Sequence, residues 1–181
     1  MEKPNEFASH LRKYKGRVVF GGNNVRDEYG LAALFPEQGS GASFATASKL
    51  LDAVSLLPGC FGEQSDAPSA YTQSVLFEGM AESTCPITWV QLPQSQWPPS
   101  YHKLYKETGQ QPVCRLLKSL YGHPVSGLYW EKHYSKALLD AGFQRIPGWE
   151  CLYFHASLQV VLSVYVDDFK LAGRKASLPE A

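Results

Sequence analysis

Ser163–Val164–Tyr165–Val166–Asp167–Asp168–Phe169–Lys170–Leu171–Ala172 joins two apolar runs through a pair of adjacent acids. Upstream of the acids the side chains alternate. Leu158, Val160, Leu162, Val164 and Val166 fall on one face, and Gln159, Val161, Ser163 and Tyr165 on the other. A period of two with one apolar face predicts a strand over 158–166. Asp167 and Asp168 then take the place of a two-residue turn, and 169–172 return as its partner. Aspartate tolerates the left-handed backbone of tight turns, although Asn-Gly or Asp-Gly is a stronger hairpin signal. Two carboxylates on a hairpin tip have two readings. They can be a solvated turn, or they can hold Mg²⁺, a hard cation that takes oxygen ligands and keeps several waters. These residues alone leave both open.

The chain has 181 residues, enough for one domain with a core or one domain with a small lobe. It is 44% hydrophobic and 13% aromatic, which places it among globular chains and not disordered ones. Formal net charge is zero, whereas a nucleic-acid-binding domain is usually basic. The cations are unevenly spread, with Arg12, Lys13, Lys15 and Arg17 close together near the start. Cys60, Cys85, Cys114 and Cys151 are far apart, with no Cys-x-x-Cys and no nearby histidine pair. That spacing argues against zinc and for a reduced, intracellular chain. No apolar run reaches the ~18 residues of a membrane span. The first residues lack the apolar core of a signal peptide, so secretion is not expected.

Along the chain, Val18–Val19–Phe20 predicts a short strand with Arg17 at its start, closed by a turn at Gly21–Asn24. A helix is predicted over 43–57, with Phe44, Ala47, Leu50, Leu51, Val54 and Leu57 on one face, Ser43 as N-cap and Pro58–Gly59 as its stop. Residues 60–66 carry no strand propensity. Asp66 followed by Ala67–Pro68 reads as the N-cap of a second helix. Ile87–Leu92 predicts a short strand. Trp97 and 101–106 form a patch of aromatics and lysines that either stacks bases or packs on its own loop. A helix over 126–141 presents Tyr134, Ala137, Leu138 and Ala141, with Gly142 ending it. Cys151–His155 predicts a strand that pairs with 158–166 across Ala156–Ser157.

Several of these stretches, taken in order, resemble the reverse transcriptase of copia-type retrotransposons. Lys15–Gly16–Arg17–Val18–Val19 is similar to that family's lysine-x-arginine-leucine-valine strand. Gln64–Ser65–Asp66 with Ala70–Tyr71 looks like its Asp-Val-Lys-Thr-Ala-Phe segment. Trp89–Val90–Gln91–Leu92–Pro93 resembles its methionine-x-glutamine-proline segment. Val113–Cys114–Arg115–Leu116–Leu117–Lys118–Ser119–Leu120–Tyr121–Gly122 matches its valine-cysteine-lysine-leucine-x-lysine-serine-leucine-tyrosine-glycine run almost residue for residue. Trp130 matches its tryptophan eight positions past that glycine. Tyr165–Val166–Asp167–Asp168 matches its polymerase hairpin.

The resemblance implies an α+β fold: a polymerase palm with an antiparallel sheet carrying the acids, two packing helices behind it, and part of the fingers. Residues 1–14 are then a polar, basic lead, 15–173 the fingers and palm fragment, and 174–181 a tail. The implied activity is RNA-directed DNA polymerisation, a nucleotidyl transfer from dNTPs on an RNA or DNA template-primer. In-line displacement at phosphorus uses two divalent ions roughly 3.5–4 Å apart, here Mg²⁺ or Mn²⁺. Asp66, Asp167 and Asp168 are the implied catalytic metal ligands, with Asp168 a partly structural member. Lys15 and Arg17 are implied to meet the triphosphate, and Tyr71 to sit beside the sugar, where a bulky ring favours dNTP over rNTP.

The chain departs from the family pattern in places. Val125–Ser126–Gly127 stands where glutamine-alanine-proline is common, under the templating base. Lysine is usual at the position of Pro68. The expected thumb, protease, integrase and ribonuclease H parts are missing, with only eight residues after Gly173. A second expectation follows: a truncated, non-catalytic transposon relic that keeps the palm fold and at most binds nucleic acid weakly and without sequence preference.

Overall fold

The computed structural model describes residues 16–35, 42–80 and 87–181. Its centre is a five-stranded antiparallel sheet in the order β1-β7-β6-β5-β4. The strands are β1 (Cys60–Asp66), β4 (Gln144–Arg145), β5 (Leu152–His155), β6 (Val160–Tyr165) and β7 (Asp168–Arg174). β2 (Trp89–Val90) and β3 (Cys114–Arg115) form a separate two-stranded ladder. The helices are α1 (Ala45–Ser55), α2 (Ala70–Gln73), α3 (Pro99–Thr108) and α4 (Ser126–Asp140).

The alternation of β6 does what a period of two dictates. Val160, Leu162 and Val164 bury one face with Trp130 and Tyr134 of α4, Tyr153 of β5 and Phe143. Val161 faces the other way, with Leu152 of β5, Ala172 of β7 and Ala47 and Leu51 of α1. The two predicted helices therefore cover opposite faces of the sheet and do not lie together behind it. Burial on both faces explains why Ser163 is only 3% exposed although it sits on the more polar side of the strand.

α1 and α4 start and stop close to their predicted limits, with different caps, while α3 forms in a stretch where no helix was expected. α1 begins at Ala45 after Phe44, and no side chain caps it. Ser43 is instead tied into the sheet, its N–H donating to the Val164 carbonyl at 2.8 Å. Only Ala47 and Leu51 of the predicted stripe are fully buried, while Phe44, Leu50 and Leu57 stay exposed. α4 ends where Gly142 takes φ 95°, a left-handed stop that costs glycine nothing.

Four expectations change. Residues 60–66 form β1, paired with β7 along its whole length from Cys60↔Arg174 to Asp66↔Asp168. Asp66 therefore ends a strand and does not cap a helix. The helix that follows is a single turn entered through Ser69 in the left-handed region. The 17–20 segment is not a strand; it docks on a turn, with Phe20 N–H donating to the Tyr121 carbonyl at 2.6 Å. The predicted strand over 87–92 is shortened to the two residues of β2. In the aromatic patch, Trp97 packs inward against His102 and Tyr105 of α3, and its indole N–H donates to the Leu92 carbonyl at 2.9 Å.

Candidate active site

The sheet register decides where the acids go. Asp66 ends β1 and Asp168 opens β7, and the two are direct cross-strand partners. Side chains opposite each other in an antiparallel pair share a face, with Cβ atoms about 4.5–5.5 Å apart. The turn between β6 and β7 is Val166–Asp167, because Tyr165 pairs with Asp168. The predicted turn thus moves back by one residue, and Asp168 becomes the first residue of a strand. Val166 carries φ 58°, a conformation that β-branched residues rarely take. Only the first central residue has positive φ, the pattern of a type II′ turn, where glycine is usual. The Ala67 N–H donates to the Asp167 carbonyl at 2.7 Å and ties the tip to the end of β1.

Asp66 and Asp167 line one open cleft of about 420 Å³ together with Arg17, Ser69, Thr72 and Tyr121. Arg17 lies over the Tyr121 ring, its Cζ 4.6 Å from the centroid, which is cation–π range. Tyr71, on α2, meets the same ring edge-on at 4.7 Å. Electrostatics reports the same neighbourhood. Burial raises the Tyr71 hydroxyl pKa first, and the Asp167 charge raises it further. Burial and then Asp167 raise Tyr121, against the opposing Arg17 charge.

Asp168, across from Asp66 on the same face of the sheet, is not among the residues that line this cleft. It lines a second cavity of about 220 Å³ on the α1 side, with Ser43, Ser48, Ser163, Tyr165 and Lys170. Lys170 is fixed there by Asp52 at 2.7 Å and by the Ser48 hydroxyl at 2.9 Å. Of the predicted ligands, the structure brings Asp66 and Asp167 into one cleft and sets Asp168 beside them on another. Arg17 lines the same cleft, Tyr71 stands behind it against Tyr121 and the core, and Lys15 lies outside the described residues. Among the described residues, no group of three His, Cys, Asp or Glu side chains is close enough to hold a metal ion.

The cleft's donors still suit Mg²⁺. Its lining residues offer carboxylate, hydroxyl and carbonyl oxygens, with no thiol and no imidazole. Mg²⁺ is usually held by one or two carboxylates, with water and substrate phosphates completing its shell, and not by an all-protein cage.

Residues 89–179, just over half of the chain, match the family model described as reverse transcriptase (RNA-dependent DNA polymerase). The chain belongs to the copia-type reverse transcriptase family. No curated protein and no solved structure matches it. The reverse transcriptase match takes in Tyr121, Trp130, Asp167 and Asp168 and begins downstream of Arg17, Asp66 and Tyr71.

Sequence reasoning passed over Tyr121 as a site residue, although it lies within the longest family motif. Its place directly before Gly122 is the signal. Gly122 takes φ 88°, and a Cβ there would stand 2.3 Å from the Phe20 carbonyl oxygen. That close approach presses the Arg17 segment against the Tyr121 turn. The departures at 125–126 have local structural roles. Val125 is buried with Leu76, Phe77 and Tyr129. The Ser126 hydroxyl donates to the Leu120 carbonyl at 2.7 Å and accepts from the Leu120 N–H at 3.0 Å.

Proposed function

We propose that this chain carries the palm and part of the fingers of an RNA-directed DNA polymerase that adds dNTPs to a primer on an RNA or DNA template. The observation that carries the reading is the strand register that sets Asp66 against Asp168 and leaves Asp66 and Asp167 in one cleft beside Arg17. Asp66 and Asp167 would hold divalent ions, Mg²⁺ or Mn²⁺, and Asp168, across from Asp66 at the start of β7, supports the tip. When bound, such ions neutralise the charge that develops on the attacking and leaving oxygens. Phosphoryl transfer is mostly positioning and electrostatics, and the chain's own groups divide that work. One carboxylate comes from the end of β1 and the other from the β6–β7 turn. The Arg17 guanidinium, laid on Tyr121, is set to meet the triphosphate. The Tyr71 ring, propped edge-on by Tyr121, shapes the wall beside the sugar.

The test is primer extension on an RNA template with Mg²⁺, comparing the wild type with Asp167→Asn. Extension by the wild type that is lost in the variant is the expected result. No extension above background in either protein overturns the proposal in favour of a palm fold without chemistry, and equal extension in both overturns the assignment of Asp167.

A further inference from the structure

The turn that carries Asp167 is strained and is held from below. Val166 sits at φ 58°, which nothing in its own side chain favours. A strained turn persists only if its surroundings over-determine it. Two bonds do so here. The Ala67 N–H takes the Asp167 carbonyl from the β1 side at 2.7 Å. On the other side, the Trp130 indole N–H donates to the Val166 carbonyl at 2.5 Å, across 36 positions of sequence.

Trp130 is placed to hold this bond rigidly. It lies on α4, is 3% exposed, and packs in the core with Tyr134, Val160, Leu162 and Val164. Phe169, two residues past Asp167, meets it edge-on at 6.4 Å and meets Tyr134 at 5.9 Å. His133 stacks on its ring at 5.8 Å. The indole is thus wedged under both the turn and the start of β7, with its one polar atom aimed at the turn. Tryptophan offers a single donor and no acceptor, so this geometry uses all of its hydrogen-bonding capacity.

We propose that Trp130 is a positioning residue for Asp167: its N–H fixes the peptide after Val166 and thereby the direction in which the Asp167 carboxylate enters the cleft. This role rests on the polymerase reading of that cleft, and part of its test does not. Phenylalanine at 130 keeps an aromatic ring in the core and removes the N–H. Glycine at 166 accepts positive φ without strain, so it should make the turn less dependent on the indole.

The experiment takes the whole chain in four forms: wild type, Trp130→Phe, Val166→Gly and the double variant. Amide hydrogen exchange is followed over 165–169, with exchange in β5 and thermal melting as controls. Mn²⁺ binding is read by its electron paramagnetic resonance signal. Trp130→Phe should melt cooperatively and keep its β5 protection, while hairpin-tip exchange accelerates about tenfold and Mn²⁺ affinity falls several-fold. Adding Val166→Gly should restore much of both, which a generally loosened core would not allow. Unchanged tip exchange in Trp130→Phe overturns the proposal whether or not the protein binds Mn²⁺. So does accelerated exchange spread evenly over tip and β5, or a loss that Val166→Gly fails to relieve. Wild-type protein that takes up no Mn²⁺ overturns both the polymerase reading and the positioning role, even if the indole still orders the turn.

Discussion

Asp167 and Asp168 are neighbours in sequence and differ in circumstance. Asp167 is in the turn, half-buried, and opens into the cleft shared with Asp66 and Arg17. Asp168 begins β7 and faces the α1 side, near a lysine already paired with Asp52. Asp66→Asn and Asp167→Asn are each expected to lower primer extension by at least about 10²-fold, the scale of losing one preorganised charge at a transferring group. Asp168→Asn should lower it less. Steady-state rates at saturating Mg²⁺ check the order, and an Asp168 variant as damaging as the other two would contradict it.

His123 gives a second prediction at this scale. It is 4% exposed, ringed by Phe20, Phe35 and Phe77, and burial lowers its pKa. The Val125 N–H points at Nδ1 at 3.4 Å, and Nε2 is 3.3 Å from the Thr88 hydroxyl. A ring that accepts at Nδ1 is neutral there. Between its lowered folded pKa and the ordinary value of about 6.5, the unfolded chain binds a proton that the folded chain does not. Stability from this group is therefore complete above about pH 6.5 and falls as the pH drops through that window. Urea midpoints measured from pH 7.5 to 5 should decline more steeply in the wild type than in His123→Gln. Parallel declines would remove the histidine from the account.

Elements with an internal period were legible, and elements made by their neighbours were not. The hairpin, α1 and α4 announce themselves because buried positions recur at 2 or 3.6 residues. Cys60–Phe61–Gly62–Glu63–Gln64–Ser65–Asp66 has no such recurrence, and most of β1 remains exposed. It is a strand because the edge of β7 supplies its hydrogen-bond partners. The same pairing removed the cap that Asp66–Ala67–Pro68 predicted. β4 is too short to carry a pattern. At the site, the hairpin acids could be read from sequence, while their separation onto two cavities could not, since it follows from a turn displaced by one residue. Tertiary fit also fixes Gly173. A Cβ there would lie 2.5 Å from the Gln159 carbonyl oxygen and 2.9 Å from the Val160 Cα, both backbone. Gly173→Ala should cost about 1–3 kcal/mol by overpacking. A lower urea midpoint at an unchanged slope is the expected result, and an unmoved midpoint would show that β6 and β7 can part freely at that end.

Over the whole molecule, one sheet gathers distant pieces of chain at one end. β1 brings residue 66, the β6–β7 tip brings residue 167, and the turn at 121–124 brings Tyr121 with the Arg17 segment docked on it. The core on either face, through α1 and α4, holds that arrangement from both sides. Net charge is zero, so on the proposed reading attraction to nucleic acid would rest on local cations such as Arg17 and would weaken as salt rises. On the proposed reading, the end of β1 and the hairpin tip share one divalent-ion site. Fe²⁺ substituted for Mg²⁺, with peroxide and ascorbate, cuts backbone beside the ion it replaces, and mass mapping locates the cuts. Two cuts are expected, one near residues 66–67 and one near 166–168, both lost in Asp66→Asn. A cut at only one of these places, cuts elsewhere, or cuts that survive in Asp66→Asn would contradict a shared site.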